Sequence, residues 1–148
     1  MQNRIAFVPL IALLALGGCA TTSETSETAS GKRDFSEVLY LRGQFNWWDI
    51  APEYKVKKVG DDLYRTEVSL KADGQPYGFK FGNATWSAGT NCGYLSEEFK
   101  TIKLGEPAKA NCSAVFEDFM FTPPETGTYA FFFDNSGETP VVLVKPAE

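Results

Sequence analysis

The sequence contains no histidine at any of its 148 positions. That absence excludes a serine–histidine triad, a histidine general base and histidine ligation of a metal. Cysteine is scarce as well, with three residues in the chain, so thiolate chemistry has few candidates. Acidic residues outnumber basic ones by 19 to 14, which gives a net charge of -5. An acidic chain argues against nucleic acid as a partner.

Residues 1–18 have the composition of a secretory signal peptide. Arg4 precedes an apolar run over 5–16, which is too short to span a membrane as a helix. The run ends in LGGC (16–19), which resembles the bacterial lipobox. This resemblance implies cleavage before Cys19, a diacylglycerol on its sulfur and acylation, such as palmitate, of its amine. An ordinary signal peptide with a chance cysteine is the alternative.

The same resemblance implies a location, and the composition of the next residues indicates a tether. Ala20 follows the cysteine, where an aspartate would suggest inner-membrane retention, so the lipid anchor implies the outer membrane of a Gram-negative bacterium. The domain would face either the periplasm or the cell exterior. Residues 19–33 lack aromatic and large aliphatic side chains and cannot bury enough apolar surface to fold. We expect a disordered tether there, followed by one domain over 34–148.

Lipidation of Cys19 would leave two cysteines, Cys92 and Cys112. An even pair in an oxidising compartment predicts a disulfide. Such a bridge would close a loop of about 20 residues and stabilise the domain by about 3 kcal/mol. Two buried thiols are the alternative.

Short runs rich in valine, tyrosine, phenylalanine and threonine alternate with glycine-, proline- and asparagine-rich turns. No stretch sustains a helical period over three turns, so the pattern favours an all-β sandwich. We predict strands at 37–42, 54–59, 63–70, 77–81, 100–104, 114–121, 128–133 and 141–144.

The run YGFKF (77–81) places its three aromatics on one face of a strand and Lys80 on the other. Gly78 and Gly82 flank the lysine on that second face. This pattern predicts that Lys80 lies on an open, flat patch that could admit a ligand. A solvated edge lysine is the alternative.

Three stretches carry a family resemblance. VLYLRGQFNWWD (38–49), LYRTEVSL (63–70) and GQPYGFKFGNATW (74–86) together resemble the glycogen- and starch-binding modules of carbohydrate-binding family 48. The front modules of pullulanases and the glycogen-binding domain of AMP-activated kinase β subunits share this pattern. The resemblance implies an immunoglobulin-like (early-set) antiparallel β-sandwich.

Four residues fall on positions of the family motif. Trp48 and Trp86 fall on the two tryptophans that stack on sugar, and Lys80 falls on the lysine that donates to sugar hydroxyls. Asn46 falls on an asparagine that more often orders the loop than touches the ligand. These side chains also suit the chemistry, because an indole offers a flat apolar platform to a glucose ring and polar side chains offer oriented hydrogen bonds.

The adjacent tryptophans Trp47 and Trp48 raise a separate question. Neighbouring residues of an extended chain point to opposite faces. We therefore expect Trp48 to face the ligand and Trp47 to lie against the domain surface. The alternative has Trp48 in the sandwich core and Trp47 exposed.

The segment after Trp86 resembles the longer middle of the pullulanase front modules, where a loop carries an asparagine and a tyrosine toward the glucan. Asn91 and Tyr94, on either side of Cys92, are the candidates here. The predicted disulfide would hold this loop and reduce the ordering cost on binding. The alternative is that the disulfide stabilises this loop and that the loop does not contact a ligand.

These expectations describe a non-catalytic lipoprotein that binds an α-1,4-glucan such as starch, glycogen or maltodextrin without a cofactor or metal. Its partners would be the glucan, the membrane and an amylase, pullulanase or glucan transporter. The paired acids at 61–62 and 97–98 lie in turns, whereas a glycosidase needs carboxyl groups that face each other across a cleft. A structural or protein-interaction lipoprotein with no sugar ligand is the alternative.

Overall fold

The computed structural model describes residues 32–148. The predicted signal peptide, Cys19 and most of the predicted tether lie outside this range. Within it, the chain is built from strands and four short 3-10 helices, at Phe35–Glu37, Gln44–Asn46, Pro52–Tyr54 and Glu97–Phe99. No helix of this part is long and apolar enough to cross a membrane.

The strands are β1 Tyr40–Gly43, β2 Lys57–Gly60, β3 Leu63–Leu70, β4 Tyr77–Gly82, β5 Asn91–Tyr94, β6 Thr101–Ile102, β7 Ala108–Asn111, β8 Phe119–Phe121, β9 Gly127–Asp134 and β10 Val141–Pro146. They pair in the order β2-β3-β9-β10-β7-β5-β4-β8-β6, and β1 pairs with β4. Every pairing is antiparallel except β6 with β8. The all-β fold class is confirmed.

Two strands were not predicted. Strand β5 (NCGY) and strand β7 (AKAN) contain small and polar residues of low strand propensity. They pair with each other and connect the half of the sheet around β4 to the half around β9. Their position is set by tertiary contacts, among them the disulfide between Cys92 and Cys112, which confirms the predicted bridge.

The two halves of the sheet pack face to face through aromatic rings. The ring centroids of Phe79 and Phe131 are 4.9 Å apart, and those of Phe81 and Phe133 are 5.6 Å apart. All four side chains are fully buried, as the alternation in β4 predicts. The Phe79–Phe131 contact is edge-to-face, and aromatic contacts add to the stability gained from burial, so this aromatic layer is the centre of the core.

The opposite face of β4 positions the candidate site. Lys80 and Gly82 lie there, opposite Arg42 and Tyr40 of β1. The loops that follow β1, β4 and β7 cover this face, since they contain the tryptophans and the residues that contact Lys80. The site is therefore built on the rigid strands β1 and β4, while loops form its walls.

At the start of the described chain, the side chain of Lys32 contacts the domain. Its Nζ donates to the carbonyl of Asn135, 2.6 Å away, and to that of Gly137. Lys32 is one of the last two residues of the predicted tether.

Candidate functional site

A groove of about 570 Å³ opens on the outer face of β4. We call it the tryptophan groove. Residues from the loops after β1, β4 and β7 line it together with β4 and β5. They are Trp48, Lys80, Trp86, Ala88, Asn91, Ser113, Ala114, Val115 and Asp118.

The loop after β1 carries Trp47 and Trp48 in the left-handed region, with φ of 55° and 62°. Asn46 holds this turn, because its Oδ1 accepts from the Gly43 amide at 2.9 Å and its Nδ2 donates to the Leu41 carbonyl at 3.3 Å. The Trp48 amide donates to the Gly43 carbonyl at 2.9 Å. Asn46 thus orders the loop and does not line the groove.

The expectation that Trp47 lies against the domain surface is wrong, because its side chain is 86% exposed. The prediction assumed an extended chain, whereas two successive left-handed residues turn the backbone and remove the alternation of faces. Trp48 is half-buried and lines the groove. Its ring centroid lies 6.3 Å from that of Trp86, with 55° between the planes.

The ring of Trp86 lies across strand β4 at Gly82. A Cβ at that glycine would come within 2.6 Å of two atoms of the indole, so the strand can approach the ring only because the side chain is absent. The guanidinium of Arg42 lies 3.8 Å from the ring centroid of Trp86, a cation–π contact. Trp86 is therefore a supported platform with a fixed inner face.

Arg42 supports the groove without lining it, and the sequence pattern did not single it out. It is 8% exposed, its Nε donates to the Trp48 carbonyl at 2.6 Å and an Nη donates to the Asn83 carbonyl at 2.8 Å. One side chain thereby ties together the loops that carry the two tryptophans. Burial lowers the pKa of Arg42 and nearby Asp49 opposes that shift. A charged residue at the end of the apolar run VLYLR was the available signal.

The open patch predicted around Lys80 is wrong, since the residue is 3% exposed. Its Nζ donates to the Val115 carbonyl at 2.8 Å, lies 4.0 Å from Asp118 Oδ1 and lies 5.3 Å from the Trp86 ring centroid. Burial lowers the pKa of Lys80, while Asp118 and Glu117 act in the opposite direction. The glycines beside Lys80 are covered by loops that the local pattern could not reveal.

The loop over 113–118 supplies four residues of the groove lining. Glu117 fixes it, because its Oε2 accepts from the amides of Val115 at 2.6 Å and Phe116 at 2.9 Å. These hydrogen bonds, led by that from Val115, lower the pKa of Glu117. The loop also packs on β5, where the Tyr94 amide donates to the Glu117 carbonyl at 3.0 Å. A side chain on Gly93 would overlap that carbonyl.

The two candidates beside Cys92 occupy different places. Asn91 is 6% exposed and lines the groove, and its Oδ1 has no hydrogen-bond partner among the described residues. Tyr94 lies outside the groove lining, with its hydroxyl donating to Glu97 Oε1 at 2.8 Å. The structure thus brings Trp48, Lys80, Trp86 and Asn91 together. It also adds Asp118, which the sequence reasoning did not select.

Comparison with known proteins finds a likeness among solved structures. No family model matches the chain, and no curated protein matches it. Among solved structures, the ligand-induced structure of AmyP-SBD, an amylase starch-binding domain, matches with a TM-score of 0.56 and 18% sequence identity. The alignment covers 95% of this chain and 97% of that one. At this identity the likeness establishes a shared all-β fold.

Proposed function

We propose that this protein is a non-catalytic α-glucan-binding lipoprotein, anchored in the outer membrane of a Gram-negative bacterium. The observation that carries the proposal is the tilted pair of indoles, Trp48 and Trp86, in a groove floored by Lys80, Asn91 and Asp118. The likeness of the fold to an amylase starch-binding domain supports it.

The angle between the indoles favours a curved ligand. Each ring can stack on the apolar C–H face of one sugar, and the polar floor can bond to hydroxyls on the sugar rim. Two platforms inclined at 55° suit the helical course of α-1,4-glucan better than the flat ribbon of cellulose. Arg42 holds both platforms in place before ligand arrives, which reduces the ordering cost of binding.

The carboxylates near the groove favour binding over hydrolysis. Among the described residues that line it, Asp118 supplies the single carboxylate. Glu117, its neighbour, has one carboxylate oxygen engaged by two backbone amides. Glycoside hydrolysis generally uses two carboxyl groups that flank the scissile bond. We therefore assign the groove to holding a glucan, near an amylase, pullulanase or glucan transporter that acts on it.

The lipid anchor is proposed from the LGGC sequence at 16–19. Changing Cys19 to Ser is expected to abolish incorporation of radiolabelled palmitate and to release the protein from the membrane fraction. Palmitate labelling that persists in this variant would contradict the proposal. Flotation in a sucrose gradient would separate outer-membrane from inner-membrane anchorage of the unaltered protein.

Affinity electrophoresis tests glucan binding directly. The purified full-length protein in detergent is run through native gels containing starch, glycogen or dextran. We expect retardation by the two α-1,4-glucans and little by dextran, whose backbone linkages are α-1,6. Equal mobility in all gels, at glucan concentrations that retard a known starch-binding protein, would refute glucan binding.

A protein-interaction module is the second candidate. Trp47 and Phe116 are 86% and 88% exposed, and exposed aromatics are frequent anchors of protein interfaces. Maltoheptaose separates the two functions, because it should quench tryptophan fluorescence if Trp48 and Trp86 stack on sugar. Unchanged fluorescence at millimolar maltoheptaose would favour the protein-interaction module.

A further inference from the structure

The polar atoms of the groove floor differ in how many hydrogen bonds they already make to other groups of the protein. Lys80 Nζ donates to the Val115 carbonyl at 2.8 Å. Asn91 Oδ1 is buried without a hydrogen-bond partner among residues 32–148. Asp118 Oδ1 lies 4.0 Å from Lys80 Nζ, a separation that allows ionic attraction but is too long for a hydrogen bond.

The two adjacent acids, Glu117 and Asp118, have different environments. Glu117 accepts from the backbone amides of Val115 and Phe116, which accounts for its place in the loop. Asp118 lines the groove, and its side chain remains about one third exposed, at 34%. A carboxylate offers about four acceptor sites on two oxygens, so Asp118 retains capacity for donors that enter the groove.

We infer that Asp118 is a ligand-binding residue, whose carboxylate accepts hydrogen bonds from sugar hydroxyls. This inference rests on the proposed function and deepens it. It makes the groove a site for ligands that donate hydrogen bonds. Neutral glucans have free hydroxyls on every residue and meet this requirement.

Asp118 also sets the charge preference of the groove. Lys80 alone would create a positive site that attracts carboxylates and sulfates. The carboxylate 4.0 Å away balances that charge and repels an incoming anion. An acidic polysaccharide would bind more weakly for two reasons, because its carboxylate is repelled by Asp118 and cannot donate a hydrogen bond to it. The site therefore selects neutral glucans over acidic ones.

Asp118→Asn is the decisive variant, with Asp61→Asn as its control. Asp61 is exposed in the turn before β3, so the control makes the same change in charge away from the groove. Tryptophan fluorescence of the full-length protein is titrated with maltoheptaose and with maltoheptaose oxidised to carboxylates at C6. Asp118→Asn should weaken maltoheptaose binding at least about tenfold, since hydrogen bonds to a charged group are strong. The ratio of its affinities for neutral and oxidised maltoheptaose should also fall. Asp61→Asn should bind both ligands as the unaltered protein does.

A pH profile separates a ligand contact from a structural role. Burial raises the pKa of Asp118, Glu117 raises it further, and Lys80 and Lys100 lower it. Protonation removes the anionic acceptor, so maltoheptaose affinity should fall as the pH drops through this raised pKa. The decline should begin at a higher pH than for an ordinary aspartate. Asp118→Asn cannot titrate and should give a flat profile.

The binding of maltoheptaose to the unaltered protein and to Asp118→Asn distinguishes failure of the inference from failure of the proposed function. If the unaltered protein binds maltoheptaose and Asp118→Asn binds it equally well, the inference is overturned and the proposed function stands. An acid decline that persists in Asp118→Asn also overturns it. If the unaltered protein binds no maltoheptaose, both the proposed function and the inference fail.

Discussion

The two faces of strand β4 are both buried, but for different reasons. Phe79 and Phe81 on the inner face are fully buried among other aromatic rings. Lys80 on the outer face is buried by a carbonyl, an indole and a carboxylate. Burial alone therefore does not distinguish the core from the site in this domain. The partners of a buried side chain do, because aromatic rings satisfy a phenylalanine completely whereas polar groups retain capacity for a ligand.

The sharpest test of this difference compares Phe79→Ala with Lys80→Met. Removing the Phe79 ring should lower the free energy of unfolding by about 3–5 kcal/mol, because it leaves a cavity in the aromatic layer. Lys80→Met keeps the apolar stem and should cost much less, since the carboxylate of Asp118 remains partly hydrated. Denaturant unfolding measures both variants, and starch-gel retardation of Lys80→Met should weaken.

Equal destabilisation by the two changes would break the distinction between the faces. It would mean that Lys80 serves the stability of the fold as much as Phe79 does. A Lys80→Met variant that keeps full retardation in starch would instead remove the lysine from the binding floor.

The second effect concerns the disulfide between Cys92 and Cys112. Changing both residues to serine should lower the free energy of unfolding by about 2–4 kcal/mol in the chain-entropy account. Asn91 and Ser113, which line the groove, adjoin the bridge, so binding should weaken as well. Reduction of the unaltered protein is the matched control and should shift its denaturation midpoint in the same direction. An unchanged midpoint in both would show that the bridge adds no stability.

The sequence predicted the core better than the site for a physical reason. Alternation in β3 and β4 is a local signal, and the aromatic inner face follows from it directly. The environment of Lys80 depends on Val115, 35 residues away, and Arg42 binds the Asn83 carbonyl 41 residues away. Such contacts leave no local pattern. These long-range contacts explain why the local pattern predicts an exposed Lys80 and does not single out Arg42 and Asp118.

Strands β5 and β7 illustrate the same limit. Their sequences, NCGY and AKAN, carry weak strand propensity, and long-range pairing decides their conformation. The turn at Trp47 and Trp48 is a different case, because left-handed geometry is uncommon for large side chains. Asn46, whose side chain braces this turn, came from the family pattern. Trp48 and Trp86 were selected from that pattern too, whereas the expected orientation of Trp47 rested on the geometry of an extended strand.

A smaller effect is expected at Trp48, which lines the groove. Trp48→Ala should weaken glucan binding by about 1–3 kcal/mol, or roughly 5- to 150-fold, because a stacking platform is lost. The half-buried ring should cost the fold less than a core aromatic would. Fluorescence titration with maltoheptaose measures the affinity, and denaturant unfolding measures the stability. A loss of stability as large as that of Phe79→Ala would make Trp48 a core residue.

The smallest effect is expected at Trp47, the matched control for Trp48. Its side chain is 86% exposed, so Trp47→Ala should change stability by no more than about 0.5 kcal/mol. Trp47→Gly should be more stable than Trp47→Ala by about 0.5–1 kcal/mol, since glycine avoids the left-handed strain at φ 55° but loses more chain entropy on folding. Neither change should move maltoheptaose affinity much. A large loss of affinity in both variants would extend the glucan site to Trp47. Unchanged glucan binding with loss of a protein partner would instead assign this exposed indole to protein contact, beside a groove that holds sugar.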